Sequence, residues 1–299
     1  MINTDFIDKP WYNIIELEPN VFSEGTAQGN IIATRTLLRN VDTKGFLALD
    51  VGATNGLFST LLERKGAVVT AYDRVNNFRG QVEQVKEKYN VNFDHVTGLS
   101  FVDFCESHHE QGKELFNLVL CSGVLYHAFD PMAMLCHVRG MVHTGGIILL
   151  ETASLIDENP ALYFNAKARY QPFTNYYQPT TGWIDYVSRF IGIRWLSTCY
   201  IYHEETKIAR VATIGVAESG PIAEPDDQWI THSCHSVDRK EFRINNVEES
   251  ENYKSRIRPL DNLLYYDSID AVDVTKTIKS TPSLVYNRRM CELHLSDFE

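Results

Sequence analysis

The residues best placed to do chemistry are Leu49-Asp50-Val51-Gly52-Ala53-Thr54-Asn55-Gly56 and, further along, Asp73. An apolar run, Phe46 to Val51, enters a turn containing two glycines and leaves it into a helical pattern over Leu57 to Lys65. Gly52 and Gly56 let a backbone approach a ligand closely. Asp73 follows at close to the roughly 20-residue spacing at which an acid takes ribose hydroxyls. The turn reads GATNG rather than GxGxxG, so it does not fit the pyrophosphate of a dinucleotide. Asp50, just before the first glycine, also argues against an anion and suits a cation. The plainer alternative is that the glycines only shape a strand-to-helix turn. Asp73 and the strands that follow favour a nucleoside site, because several levels of the sequence then agree.

A second group lies further along. Tyr126 and His127 follow the apolar run Phe116 to Ser122, and Glu151 ends the run Gly146 to Glu151. His127 is a candidate general base, since an ordinary histidine titrates near pH ~6.5, or else it caps the following turn. Tyr126 can hydrogen-bond a substrate or present its ring to a cation, or simply pack. Glu151 can bind an ammonium, or serve as a solvated or helix-capping acid. Arg169 can hold a carboxylate in a two-pronged contact, or pin its own loop in a salt bridge. Around it stand Tyr163, Phe164, Tyr170, Phe173, Tyr176, Tyr177 and Trp183, an aromatic density that suits a small enclosed pocket, with Asn175 as a further candidate for holding substrate. His232-Ser233-Cys234-His235 matches no zinc-ligand spacing, so no metal is expected.

These groups need positioning, and the chain supplies alternating elements. Helical stripes are expected at 26–41, 57–65, 79–89, 101–107, 131–142 and 183–191, with Pro131 in a first turn where its missing N–H costs nothing. Strands are expected at 46–51, 68–72, 93–97, 116–122 and 146–151. Segments 194–202 and 209–216 suit a closing antiparallel hairpin with its turn at 203–207. Strands alternating with helices predict a parallel α/β sheet. The organisation reads as an aromatic lead-in and helix over 1–44, a Rossmann-like domain over 45–217, and an extension over 218–299. The extension has weak periodicity and a turn at Ile244-Asn245-Asn246; it suits a cap, a dimer arm or a partly disordered tail.

Composition narrows the classes. The 299 residues carry a formal charge of −11 and 44% hydrophobic residues. Phosphate contacts need a local surplus of Lys and Arg, and no basic run longer than a pair occurs, which disfavours a nucleic-acid partner. The six cysteines are scattered without a CxxC pair, and nothing suggests a disulfide framework. The N-terminal stretch lacks the apolar region of a signal peptide. No apolar run approaches the roughly 18 residues that span a bilayer. The expectation is a cytoplasmic chain with no membrane partner, with a homodimer through its tail as one option.

Acid-x-Gly-x-x-x-Gly at Asp50 to Gly56 resembles the first motif of class I methyltransferases, with Thr54 where a middle glycine is usual. The likeness widens through Ser122-Gly123-Val124-Leu125-Tyr126-His127 with Asp130-Pro131, Leu149-Leu150-Glu151-Thr152, Ala168-Arg169-Tyr170 and Asn175-Tyr176-Tyr177-Gln178-Pro179-Thr180. With Trp11-Tyr12 and Ile15-Glu16-Leu17 it covers roughly residues 10–217 and resembles the tRNA wobble-uridine carboxymethyltransferase family. That resemblance implies a seven-stranded Rossmann-like methyltransferase sheet and S-adenosyl-L-methionine as cofactor. It implies cofactor contacts at Gly52 and Asp73, Leu99 beside the adenine, Ser122 and Gly123 against the methionyl part, and Tyr126 at the mouth. Trp11 and Tyr12 would close over the site, and Asp50 would suit the methionyl ammonium. The family's Trp- and Lys-containing stretch before the first motif has no counterpart in 25–41, which points to plain methyl transfer. The leading expectation is a small-molecule methyltransferase, with an amino acid or other carboxylate as acceptor and S-methylation of methionine in that set. The alternatives are a tRNA-modifying enzyme and a non-catalytic cofactor-binding module.

Overall fold

The structure is a computed structural model describing residues 11–26, 29–170, 175–203, 208–222, 253–257 and 288–294. In chain order the elements begin with β1 (Ile14–Glu18), β2 (Val21–Phe22) and α1 (Gly29–Leu38). Next come β3 (Leu47–Val51), α2 (Leu57–Arg64), β4 (Val68–Asp73), α3 (Arg79–Tyr89), β5 (Asp94–Thr97), α4 (Phe101–Glu110) and β6 (Phe116–Ser122). Then follow α5 (Pro131–Gly140), β7 (Val142–Leu155), β8 (Leu162–Phe164), β9 (Tyr177–Pro179) and α6 (Thr181–Phe190). The chain closes with β10 (Ile193–His203), β11 (Ile208–Ala217) and, near its end, β12 (Glu292–Leu293).

Seven strands form one sheet in the order β10-β11-β7-β6-β3-β4-β5. The pairs from β7 to β5 are parallel, and β11 runs antiparallel to both β7 and β10. Strands with both faces covered read as continuous apolar runs, and every residue of β6 is buried. Alternation then sorts side chains between two layers. Leu49, Val51, Val119, Cys121, Ile148 and Leu150 pack with Phe104, Leu135 and Ile184 of α4, α5 and α6. Ala48, Leu118, Leu120, Ile147 and Leu149 pack on the opposite face with Leu37, Leu61 and Val82 of α1, α2 and α3. The strand order reverses between β3 and β6, and ligands of open α/β sheets bind outside the carboxyl ends of the strands at such a reversal.

Local signals end these helices cleanly. Ser100, Asp130 and Thr180 each accept a backbone N–H in the first turn of α4, α5 and α6, from Asp103, Ala133 and Trp183. Strand β7 is longer than the run at 146–151 because β11 pairs with it from Ile147 to Leu155. The expected hairpin forms from β10 and β11; residues 204–207 of its turn, Phe173, the turn at 244–246 and the His232–His235 stretch lie outside the described residues.

Two pieces of the extension dock on the domain. Residues 253–257 sit beside the starting ends of the strands, where Asn117 joins three elements. Its Oδ1 accepts from Leu47 N at 2.6 Å, and its Nδ2 donates to Tyr253 Oη at 2.8 Å and meets His143 Nε2 at 3.1 Å. Arg256 donates to Asp42 Oδ2 at 2.7 Å and lies over the Phe46 ring. Asn117→Ala strands the Leu47 N–H and is expected to destabilise by about 1–3 kcal/mol. A lower urea midpoint at unchanged slope checks this.

Candidate functional site

The sequence folds a turn of left-handed angles after β3. Gly52 has φ +82° and Thr54 has φ +48°. A Cβ on Gly52 would lie 2.3 Å from Val124 Cγ2, so the turn admits no side chain there. Gly52 N and Ala53 N both donate to Tyr72 O, which draws the turn against the end of β4. There Asp73 Oδ2 accepts from Thr54 N at 2.9 Å and Oδ1 accepts from Val75 N at 3.0 Å. Burial raises the Asp73 pKa, and those two N–H groups pull it back.

This turn forms one wall of a cavity of about 560 Å³. Asp73, Arg74, Val75 and Phe78 come from the end of β4 and the loop after it; Ser100, Phe101 and Val102 come from the start of α4. Ser122, Gly123, Val124, His127 to Asp130, Ala133 and Met134 come from the end of β6 and the turn into α5. Asn30 of α1 and Tyr12 and Asn13 of the N-terminal segment complete it. The Tyr12 ring meets the Phe78 ring edge-on at 6.2 Å, and Asn13 Nδ2 donates to Asn55 Oδ1 at 2.6 Å.

Of the residues singled out in the sequence, Tyr12, Gly52, Asp73, Ser122, Gly123 and His127 line this cavity together. The others stand around it. Asp50 shares the Ala48 side of β3, is 1% exposed, and accepts from Ser59 Oγ at 2.6 Å. Burial pushes its carboxyl up to about 7, against the Ser59 hydrogen bonds. Gly56 packs on Phe93, where a Cβ would lie 2.8 Å from the ring. Leu99 is 42% exposed, and its carbonyl accepts from Tyr72 Oη. Trp11 packs against the buried cluster that holds Leu37, Leu61 and Val82.

Asp50 gives a pH prediction. Its folded-state pKa of about 7 lies above the ordinary 3.8, so the folded state holds the extra proton between those values. Stability contributed by that proton is therefore lost as pH rises from 3.8 towards 7. Asn keeps an acceptor for Ser59 and carries no charge to desolvate. Asp50→Asn is expected to gain on the natural chain across that window by a few kcal/mol. Urea midpoints of both proteins at pH 5 and pH 8 test it; parallel midpoints would refute it.

Behind Gly123 lies a buried ion pair. Arg210 of β11 donates from Nε to Glu151 Oε1 and from Nη2 to Oε2, each at 2.7 Å, and from Nη1 to Tyr126 Oη at 3.0 Å. Its guanidinium also lies 5.0 Å from the centre of the Tyr126 ring. Glu151 is 0% exposed. Burial raises the Glu151 pKa and the contacts with Arg210 pull it back, while Glu151 and Tyr126 hold Arg210 protonated above its ordinary value. Burial pushes the Tyr126 phenol up to about 12, so it stays neutral. A Cβ built on Gly123 would meet Tyr126 Oη at 3.4 Å and Arg210 Nη2 at 3.7 Å, so this cluster backs the cavity wall.

The loop after β7 is organised by buried Asn165. Its Nδ2 donates to Asn175 O, its Oδ1 accepts from Tyr170 N, and its own N–H donates to Tyr176 O. Tyr176 N donates to Tyr126 O, and the exposed Tyr176 ring meets Phe129 edge-on. Tyr170 packs on the Tyr126, Ala153 and Ile208 cluster, and exposed Arg169 lies 5.5 Å over the Tyr170 ring. Arg210, Asn13, Asn30 and Asn165 are site residues the sequence reading misses. Arg210 left one signal, a charge inside the apolar run Ile208 to Ala212, since arginine is rarely buried without a partner.

A parallel sheet with one antiparallel strand, β11, next to its edge and a ligand cavity at its reversal point is the class I Rossmann-like methyltransferase fold. The N-terminal domain of EvdMO1, solved with SAH and D-fucose, shares that fold at TM-score 0.50 and 18% identity. The match covers 70% of this chain and 92% of that one. A methyltransferase domain family model matches residues 33–191, more than half of the chain, and the chain belongs to that family. The tRNA U34 carboxymethyltransferase of Nautilia profundicola is 28% identical over 214 residues, 69% of this chain and 62% of that protein. The ubiquinone biosynthesis O-methyltransferase of Pseudomonas fluorescens is 30% identical over 128 residues, 42% of this chain and 51% of that protein. The chain thus spans between half and two thirds of the length of these relatives. Among the described residues no helix is long and apolar enough to cross a membrane.

Proposed function

We propose that this chain is an S-adenosyl-L-methionine-dependent methyltransferase acting on a small molecule. The observation that carries the reading is Asp73. Its carboxylate stands at the end of β4 beside a turn whose Gly52 admits no side chain, inside a cavity at the sheet's reversal point. The donor set fits the cofactor. Asp73 offers acceptor oxygens to a pair of hydroxyls, the Gly52 turn gives close backbone approach, and Val75, Phe78, Phe101 and Val102 offer apolar surface to a flat base. Asn30, Ser122 and Gly123 offer polar groups at the opposite end. When bound, the cofactor supplies an electrophilic methyl on a sulfonium.

The chain's own residues then orient the acceptor, exclude water and take a proton where the acceptor carries one. Proximity of this kind is worth roughly 7–11 kcal/mol of barrier. His127 lines the cavity and is the group we assign as base. A general base contributes about 10²–10⁴-fold. Tyr126 is no base at neutral pH, because it is held neutral and accepts from Arg210. Both Glu151 oxygens are taken by Arg210, which leaves that carboxylate as a support for Tyr126 and Gly123. Arg169 lies outside the cavity lining and lends no support to a carboxylate acceptor; the net charge of −11 and the absence of basic runs favour a small molecule over nucleic acid. The similarity to a tRNA U34 carboxymethyltransferase favours a second reading, transfer to tRNA.

One experiment separates these. The protein is incubated with methyl-labelled S-adenosylmethionine and separate pools of amino acids, carboxylic acids, amines, phenols and bulk tRNA. Label in a small-molecule pool is expected. Label in tRNA would replace the small-molecule reading with the second. Failure to bind S-adenosylhomocysteine at all would overturn both.

A further inference from the structure

We propose that the end of the chain, residues 290–293, is a working part of the cofactor cavity. With Arg35 as the positioning residue, it clamps down the N-terminal lid that carries Tyr12 and Asn13. The inference rests on the cofactor reading of the cavity given above.

The lid is β1 and β2 with the residues leading into them. Those strands have five and two residues, and a two-stranded hairpin in water is marginal at best. β12 makes the lid three-stranded. It runs parallel to β1, with Ile14 opposite Glu292 and Ile15 opposite Leu293. Ile14 directly follows Asn13, so the pairing grips the lid one residue from the cavity wall.

What holds β12 is α1. Arg35 donates from Nη1 to Glu292 O at 2.9 Å and from Nη2 to Met290 O at 3.0 Å. Hydrogen bonds from a charged donor are about twice as strong as neutral ones. Helix α1 packs on β7, β10 and β11, so the guanidinium ties the chain end to the rigid sheet. Ile14, Ile32, Ile201 and Cys291 close a dry cluster under the joint, and His294 meets Phe22 of β2 edge-on at 5.1 Å. The lid's inner side is held by Asn13 on Asn55 of the glycine turn and by Tyr89 Oη donating to Glu16 O. It is thus gripped between the cofactor turn and the far end of the chain. Residues 253–257, the extension's other described docking point, are held elsewhere, with Tyr253 on Asn117 and Arg256 on Asp42 at the starting ends of the strands.

The test compares the natural chain with Arg35→Ala, Arg35→Lys, a chain ending after Asn287, and Tyr253→Phe at the remote docking point. Two quantities are read: amide hydrogen exchange over residues 12–24 without ligand, and the Kd for S-adenosylhomocysteine by calorimetry. Arg35→Ala and the shortened chain are expected to speed exchange over 12–24 while β3 and β6 stay protected. Both should weaken binding by about tenfold through faster dissociation. Arg35→Lys can serve only one of the two carbonyls and should fall between. Tyr253→Phe should change neither quantity. Unchanged lid exchange, or faster lid exchange with unchanged Kd, would overturn the proposal. Exchange rising equally in β3 and β6 would also overturn it, since Arg35 would then serve the whole fold. If the natural chain binds no S-adenosylhomocysteine, it is the cofactor reading that fails, and lid exchange still decides whether the clamp exists.

Discussion

Arg210→Ala is expected to lower folding stability by about 3–5 kcal/mol, the range for removing one partner of a buried ion pair. The size follows from what remains. Glu151 would stay 0% exposed and lose both of its 2.7 Å contacts with Arg210, so it must either bury an uncompensated charge or take up a proton. Tyr126 would also lose the donor to its phenol. The loss should depend on pH in a defined direction. Without the guanidinium, burial holds the Glu151 pKa above its unfolded value of 4.5, so the folded variant binds the extra proton. Its stability then rises as pH falls, and the variant should be less damaged at pH 5 than at pH 8. Glu151→Gln combined with Arg210→Met removes both charges and should recover most of the loss, because well-packed neutral replacements of buried pairs are often tolerated. Urea midpoints for the single and double variants decide the matter. A single variant within about 1 kcal/mol of the natural chain would mean that water reaches Glu151.

The parts legible in the sequence are those whose signal is local. Phe116 to Ser122 is apolar throughout because both of its faces are covered, and it appears as β6 over those same residues. Gly52 and Asp73 were legible because one turn and one strand end carry them. Asp50 shows where spacing alone falls short. Its place before a glycine makes it a candidate for facing a cation, but strand alternation puts it on the Ala48 side, where α2 supplies Ser59. Thr54 stands where a glycine is usual, and the chain still adopts φ +48° there because Asp73 takes its N–H. That Tyr12 closes over the site was expected, but the strands that hold the lid were illegible for another reason. β1, β2 and β12 are too short to carry a period, and β12 exists only through pairing with the other end of the chain. Arg210 has the same character. Its partners Tyr126 and Glu151 sit on other elements, and only the oddity of a charge in an apolar strand hinted at them.

Asp73→Asn carries the largest expected functional effect. The natural carboxylate takes Thr54 N on one oxygen and Val75 N on the other, so it both shapes the glycine turn and faces the cavity. An amide has one acceptor oxygen and one donor group, so it can satisfy only one of those N–H groups and opposes the other. It also lacks the charge that strengthens hydrogen bonds to ligand hydroxyls. Hydrogen bonds to charged groups contribute about 1.5–3 kcal/mol each, and losing the charge across a pair of hydroxyls should weaken S-adenosylhomocysteine by roughly 100-fold. Stability should move much less. Burial already penalises the ionised Asp73, as its raised pKa shows, so removing the charge offsets part of the lost hydrogen bonding. Affinity should therefore collapse while the urea midpoint shifts little, and that separation distinguishes a ligand-holding carboxylate from a structural one. If Asp73→Asn binds S-adenosylhomocysteine as the natural chain does, Asp73 serves only the turn. A large fall in midpoint with a matching fall in affinity would instead assign it to the scaffold.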